Sequence, residues 1–176
     1  MKNSLLIALV LVSFSAFSQK RINPVIKTYG TIFDIPFAEE KPDPNLDYKI
    51  IVEIERESER PDSVSWALNN VARLINLHVM AGVKLDQLHV VIAIHSGAIY
   101  TVMNNETYRN KYKVDNPNLG LFEELDKAGV RIVACGQSIM FRKVDRFKMA
   151  PQVKVASSMI TTLTSYQMKG YAVLRF

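Results

Sequence analysis

Two stretches decide what this chain can fold into. Leu88 to Ile94 and Val130 to Ala134 are near-continuous apolar runs of strand length. A strand with one face in water alternates apolar and polar residues, so a strand apolar at successive positions must be covered on both faces. Helices therefore have to pack on either side of the sheet that contains these two runs, which are expected to be adjacent or nearly so. The segments around them alternate. Tyr48 to Ile54, rich in Ile and Val, is a further strand closed by the charged stretch Glu55 to Glu59. Pro61-Asp62-Ser63 opens a helix capped by Asp62 or Ser63. Its apolar stripe is Val64, Leu68, Val71, Ile75 and Val79, with Asn69, Asn70, Arg73 and Asn76 on the other side.

Between the two apolar runs, Asn116-Pro117 supplies a cap and a proline at the first position of a second helix, whose stripe is Leu121, Phe122, Leu125 and Ala128. Val153 to Ala156 reads as a short strand, Ser157 to Lys169 as a helix and Tyr171 to Phe176 as a last strand. Gly82, Gly129 and Gly170 each stand between a helix and a strand, where a left-handed residue ends the helix. The repeated order predicts an α/β fold, a three-layer α/β/α sandwich on a mostly parallel sheet of about five strands, spanning residues 48–176.

Two segments precede that domain. Lys2, the apolar stretch Leu5 to Phe17 and the small residues Ala16 and Ser18 predict a signal peptide over residues 1–18 and an exported protein, periplasmic or secreted. Residues 19–47 carry Pro24, Pro36, Pro42 and Pro44 and read as an irregular arm. Tyr29, Ile32, Phe33, Ile35 and Phe37 would lay that arm on its own domain or on a neighbouring subunit. No later run approaches the roughly 20 apolar residues of a membrane-spanning helix.

Composition removes several kinds of chemistry. One cysteine allows neither an internal disulfide nor a multi-cysteine zinc site. Of the three histidines, His89 and His95 stand roughly 20 Å apart along one strand at about 3.3 Å per residue, too far to share a metal. His78 has no partner at ligand spacing. No metal or cofactor is expected. The net charge of +5 is not gathered into basic runs interleaved with aromatics, so nucleic acid is not an expected partner.

Ligands of open parallel sheets bind beyond the carboxyl ends of the strands. One such end is Ile94-His95-Ser96-Gly97, and another is Ala134-Cys135-Gly136-Gln137-Ser138, after which Ile139 to Val144 turn into a helix. A thiol beside a helix start and its free N–H groups is drawn toward the thiolate. Arg142, Lys143, Arg146 and Lys148 follow, opposed only by Asp145, and would steer an anionic donor to it. Cys135 is accordingly expected to be partly accessible, with a pKa below the roughly 8.5 of a free thiol. The competing reading makes it a small buried hydrophobe. His95 either bonds a thiolate or anionic ligand across the crevice or satisfies a nearby backbone carbonyl.

The strings Ala72 to His78, His95-Ser96-Gly97-Ala98, Val114-Asp115-Asn116-Pro117-Asn118-Leu119 and above all Val133-Ala134-Cys135-Gly136-Gln137-Ser138 resemble the DsrE/DsrF-like family. The resemblance implies a flavodoxin-like fold, homotrimers or homohexamers, and a cysteine that accepts sulfane sulfur as a persulfide and passes it on. Cys135 takes that catalytic place. The N–H groups of Gly136 and Gln137, with Ser138 in the same block, would bind the persulfide anion, helped by His95 and Arg142. The donor and acceptor are not specified by the resemblance. A second reading is an exported, non-catalytic oligomer that holds a small ligand or partner in the same crevice.

Overall fold

A computed structural model describes residues 20–176, so the expected signal peptide lies outside the described residues. Seven strands and five α-helices follow in the order β1 (Arg21–Ile22), β2 (Ile32–Phe33), β3 (Tyr48–Ile54), α1 (Trp66–Met80), β4 (Leu88–Ile94), α2 (Asn105–Tyr112), α3 (Leu119–Lys127), β5 (Arg131–Cys135), α4 (Gly136–Phe141), β6 (Lys154–Ala156), α5 (Met159–Met168) and β7 (Ala172–Arg175). The main sheet has five strands in the order β6-β5-β4-β3-β7. All four of its ladders are parallel. The two apolar runs are neighbours, with Ile92 opposite Ile132 and Ile94 opposite Ala134.

The pleat sorts the core into two clusters. Ile50, Val52, Ile54, Val90, Ile92, Ile94, Ile132 and Ala134 point to one face and are covered by α1 and α3 through Leu68, Val71, Ile75, Leu121, Phe122 and Leu125. Ile51, Val91, Ala93, Val133 and Cys135 point to the other, where Met159 of α5 closes a smaller cluster. Three layers result, as the apolar runs required. Gly82, Gly129 and Gly170 all have positive φ, 99°, 83° and 81°, as left-handed helix terminators do.

Several expectations need correction. α1 starts after Ser65, whose hydroxyl accepts the Leu68 N–H, so neither Asp62 nor Ser63 is the cap and Val64 lies outside the helix. The asparagine side of α1 is not a solvent face. Asn76 is fully buried. Its Oδ1 accepts the N–H groups of Val25 and Ile26 at 3.0 Å each, and its amide donates to the carbonyls of Ile26, Tyr29 and Gly30. Asn69 accepts the Gly30 N–H at 2.9 Å. Backbone with no strand or helix partner needs side-chain acceptors and donors when buried, and α1 supplies them. The arm therefore lies on its own domain, and it is not wholly irregular, since β1 and β2 pair antiparallel.

Asn116-Pro117 does not begin α3. Asn118 holds the cap position, while buried Asn116 donates to the carbonyls of Thr101 and Met103 at 2.7 and 2.6 Å. Besides β1 and β2, the 3₁₀ segments Leu85–Gln87 and Ser96–Val102 and helix α2, which buries only Tyr108, have no counterpart in the sequence reading. α4 begins at Gly136 rather than Ile139, and that shift makes Cys135 itself the cap residue.

Candidate functional site

The carboxyl ends of β7, β3, β4 and β5 bring four predicted or newly found groups into one line on the α5 face. Glu53 pairs in register with Ala93, and one residue beyond the Ile94–Ala134 pair His95 comes alongside Cys135. On the far side Glu53 stands opposite Arg175 of β7, and Cys135 stands opposite Ala156 of β6. The line thus crosses the sheet from Arg175 through Glu53 and His95 to Cys135.

Cys135 is 3% exposed. The partly accessible thiol expected above is buried in this chain, because the start of α5 folds over it. The Met159 N–H donates to Sγ at 3.2 Å. Gly136 makes that closeness feasible: a Cβ there would stand 2.8 Å from the Ala156 carbonyl oxygen and 3.3 Å from that of Ser157. Gln137 adds a bond from its side-chain amide to the Ser157 carbonyl at 3.5 Å.

Burial pushes the Cys135 thiol up, yet donors around the sulfur outweigh it and hold the pKa below the ordinary thiol value. They are the Ser138 N–H, the Ser138 hydroxyl and the N–H groups of Met159 and Gln137. Each favours the charged form because a thiolate accepts these bonds better than a thiol does. The helix-start N–H groups expected to act are among these donors, at Gln137 and Ser138, whereas the cations expected beside them are not. Arg142 instead stacks on the Tyr100 ring, 5.3 Å from its centroid. Arg146 lies over Phe147 at 4.8 Å, and Lys148 pairs with Glu106 at 2.8 Å.

The His95 ring bonds neither Sγ of Cys135 nor a backbone carbonyl. Its Nε2 lies 3.0 Å from Oε1 of Glu53, and its Nδ1 lies 3.1 Å from the Ser96 hydroxyl. The other Glu53 oxygen accepts from Arg175. Ser96 has a positive φ of 49°, an unusual backbone for a residue with a side chain. In that conformation its N–H donates to Oγ of Ser138 at 3.0 Å. With its oxygen accepting from Ser96, the Ser138 hydroxyl proton is free to point at Sγ. A continuous polar chain therefore links Arg175, Glu53, His95, Ser96, Ser138 and Cys135.

Glu53 and Arg175 escaped the sequence reading. A signal for the first was present: Glu53 is the one acid inside the apolar run Ile50-Ile51-Val52-Glu53-Ile54, and an ionisable residue 6% exposed in a central strand needs partners. His78 donates from Nδ1 to the Leu74 carbonyl, 2.8 Å away, and packs edge-on against Tyr48. His89 faces Asp47 at 4.0 Å near the opposite end of the sheet. Among the described residues no three His, Cys, Asp or Glu side chains converge as metal ligands, and no helix is long and apolar enough to cross a membrane.

Comparison with known proteins places this geometry. Among solved structures, a protein of unknown function, MTH1491 from Methanobacterium thermoautotrophicum, superimposes with a TM-score of 0.57 at 22% identity, covering 74% of this chain and all of its own. The ychN protein from E. coli gives a TM-score of 0.53 at 16% identity over 73% of this chain and 99% of its own. At such identities the likeness concerns the fold. No curated protein matches the chain. The DsrE/DsrF-like family model matches residues 58–176, which includes the whole line from His95 to Arg175 except Glu53. On that match and the parallel five-stranded sheet, the chain belongs to the DsrE/DsrF-like family.

Proposed function

We propose that this protein is an exported sulfane-sulfur carrier acting through Cys135. The observation that carries the reading is the set of N–H and O–H donors converging on one sulfur at a strand end, which favours the thiolate at the cost of a buried charge. A structural cysteine gains nothing from such donors, whereas a thiolate or persulfide anion needs them. In the proposed step the Cys135 thiolate attacks the outer sulfur of a donor persulfide, R–S–SH. A new S–S bond forms, the donor S–S bond breaks, and the donor leaves as a thiolate. An acceptor thiolate then attacks the outer sulfur of Cys135–S–SH, and Cys135 returns to the thiolate. Gln137 and Ser138 supply the donors that hold the anion in both forms. Reaching Sγ requires the Ala156–Met159 segment to move aside.

Export rests on the leader-like residues 1–18. Assembly into a homotrimer or homohexamer is supported by the exposed side chains of Met140, Phe141 and Phe147, which flank the site and have 78–86% of their surface open. The alternative, a non-catalytic binding module, is favoured by one observation, the 3% exposure of Cys135.

Mass spectrometry separates the two. After incubation with a polysulfide or persulfide donor, the carrier gains about 32 Da per sulfur on Cys135, and Cys135→Ser gains none. A native protein that takes up no sulfur, and whose thiol is alkylated only after denaturation, refutes the carrier and leaves the binding module.

A further inference from the structure

A single helix covers the second face of the sheet, and it cannot cover all of it. α5 leaves β6, crosses the sheet and delivers the chain to β7 on the far side of β3. The outer part of β5 and the edge strand β6 are left partly open, and a groove of about 280 Å³ runs between them and α5.

Its lining is one-sided in charge. Arg131 at the start of β5, Lys154 at the start of β6 and Lys169 just after α5 all border it, and no carboxylate does. None of these three cations forms an ion pair among the described residues. The helix wall is hydroxylic. Ser157, Thr161, Ser165 and Lys169 recur at spacing four, which places them on one face of α5 and its flanks. Val133 and the Tyr166 ring give the groove an apolar floor, with the Lys169 ammonium 5.2 Å from the ring centroid. A lysine on an edge strand discourages pairing with other chains. That explains Lys154, and a cation at the end of α5 over Tyr166 explains the place of Lys169; Arg131 has no such partner, and the Ser157 and Thr161 hydroxyls bond each other at 3.3 Å on the wall of the groove.

We infer that the groove between β6 and α5 binds a small phosphorylated molecule. Three cations without a carboxylate border one cavity, and a phosphoryl group offers several oxygens to guanidinium, ammonium and hydroxyl donors together. The organic part of the ligand lies on Val133 and Tyr166. The volume suits a compact molecule and excludes a polymer lying within it. Cys135 does not line the groove, so this site stands or falls independently of sulfur transfer.

The test is calorimetric titration of the full protein with pyrophosphate at constant ionic strength. One saturable site is expected. The double substitution Arg131→Gln/Lys154→Gln should weaken it by about tenfold or more, the effect of losing charge-assisted hydrogen bonds. Thr161→Trp, which fills the groove without changing charge, should abolish it. Lys84→Gln, which removes a charge from an exposed loop elsewhere, should leave affinity within about twofold. No saturable binding at millimolar pyrophosphate overturns the inference. So does a loss with Lys84→Gln equal to that of the double variant, or full affinity in Thr161→Trp.

Discussion

Replacing Ser138 with alanine tests whether hydrogen bonds, and not neighbouring cations, make the Cys135 thiol acidic. Burial acts to raise that thiol, and four donors, two of them from Ser138, bring it below the usual range. The substitution keeps the Ser138 N–H and deletes only the hydroxyl, whose oxygen is already held by the Ser96 N–H at 3.0 Å. A hydrogen bond to a charged group contributes about 1.5–3 kcal/mol, and one pKa unit corresponds to about 1.4 kcal/mol, so a full loss would raise the thiol by about 1–2 units. Because the remaining donors keep serving the same sulfur, a rise of about one unit is expected. The rate of alkylation against pH reads it directly, since no other thiol is present. Stability should shift in step. A thiol whose folded pKa lies below its unfolded value contributes stability that is fully present above the unfolded pKa, roughly 8.5, and is lost as pH falls through the folded pKa. Ser138→Ala therefore narrows that gain, while Ser138→Thr, which keeps a hydroxyl, retains most of it. Superimposed alkylation profiles for wild type and Ser138→Ala would refute the assignment.

Three further substitutions probe the surroundings. Asn76→Ala leaves the N–H groups of Val25 and Ile26 and the Gly30 carbonyl without their side-chain partner, while the Ile26 and Tyr29 carbonyls keep only the Asn23 amide. It should cost about 3 kcal/mol in urea unfolding and expose residues 20–47 to protease, and a loss under about 1 kcal/mol would count against anchoring by α1. Glu53→Gln removes the charge shared by His95 and Arg175; unfolding should become easier by about 1.5–3 kcal/mol, and an unchanged midpoint would show that the pair contributes nothing. Gly136→Ala puts a Cβ 2.8 Å from the Ala156 carbonyl oxygen. The covering segment must yield, so alkylation of Cys135 should speed up while stability falls by about 1–3 kcal/mol, and slower alkylation would contradict this account of access.

The architecture was legible because it depends on patterns that tertiary context cannot easily override. Leu88 to Ile94 and Val130 to Ala134 have no polar face to offer water, and the three helix-ending glycines adopt the backbone that other residues avoid. What stayed hidden lacked periodicity. α2, with the sequence Asn-Glu-Thr-Tyr-Arg-Asn-Lys-Tyr, buries a single residue, so no apolar stripe marks it. The asparagines of α1 look solvent-facing from spacing alone. Their true role follows from the arm, whose backbone between Asn23 and Gly30 has few partners of its own and takes those of Asn69 and Asn76. Side chains that serve distant backbone carry no local signature.

The same distinction separates the legible part of the candidate site from the rest. That Cys135 closes a central strand beside a glycine is a local fact, and the structure keeps it there as the residue before α4. Its electrostatics are local in part, through the N–H groups of Gln137 and Ser138, and in part depend on groups far along the chain. Met159, whose N–H reaches Sγ, lies 24 residues later, and the hydroxyl of Ser138 is oriented by Ser96, 42 residues earlier. Counting nearby cations pointed to Arg142 and its neighbours, but an extended side chain can turn to any partner within its reach, and Arg142 turns to Tyr100. Backbone donors cannot turn away without unfolding something. A sulfur held by the first turn of α5 is consequently tied to that helix: opening the thiol to a donor means breaking the Met159 bond and removing part of what keeps the thiolate charged. Exposure and acidity thus oppose each other at Cys135. Whatever moves α5 aside must bring its own hydrogen-bond donors to the sulfur, or accept a thiol less ionised than the one in the closed chain.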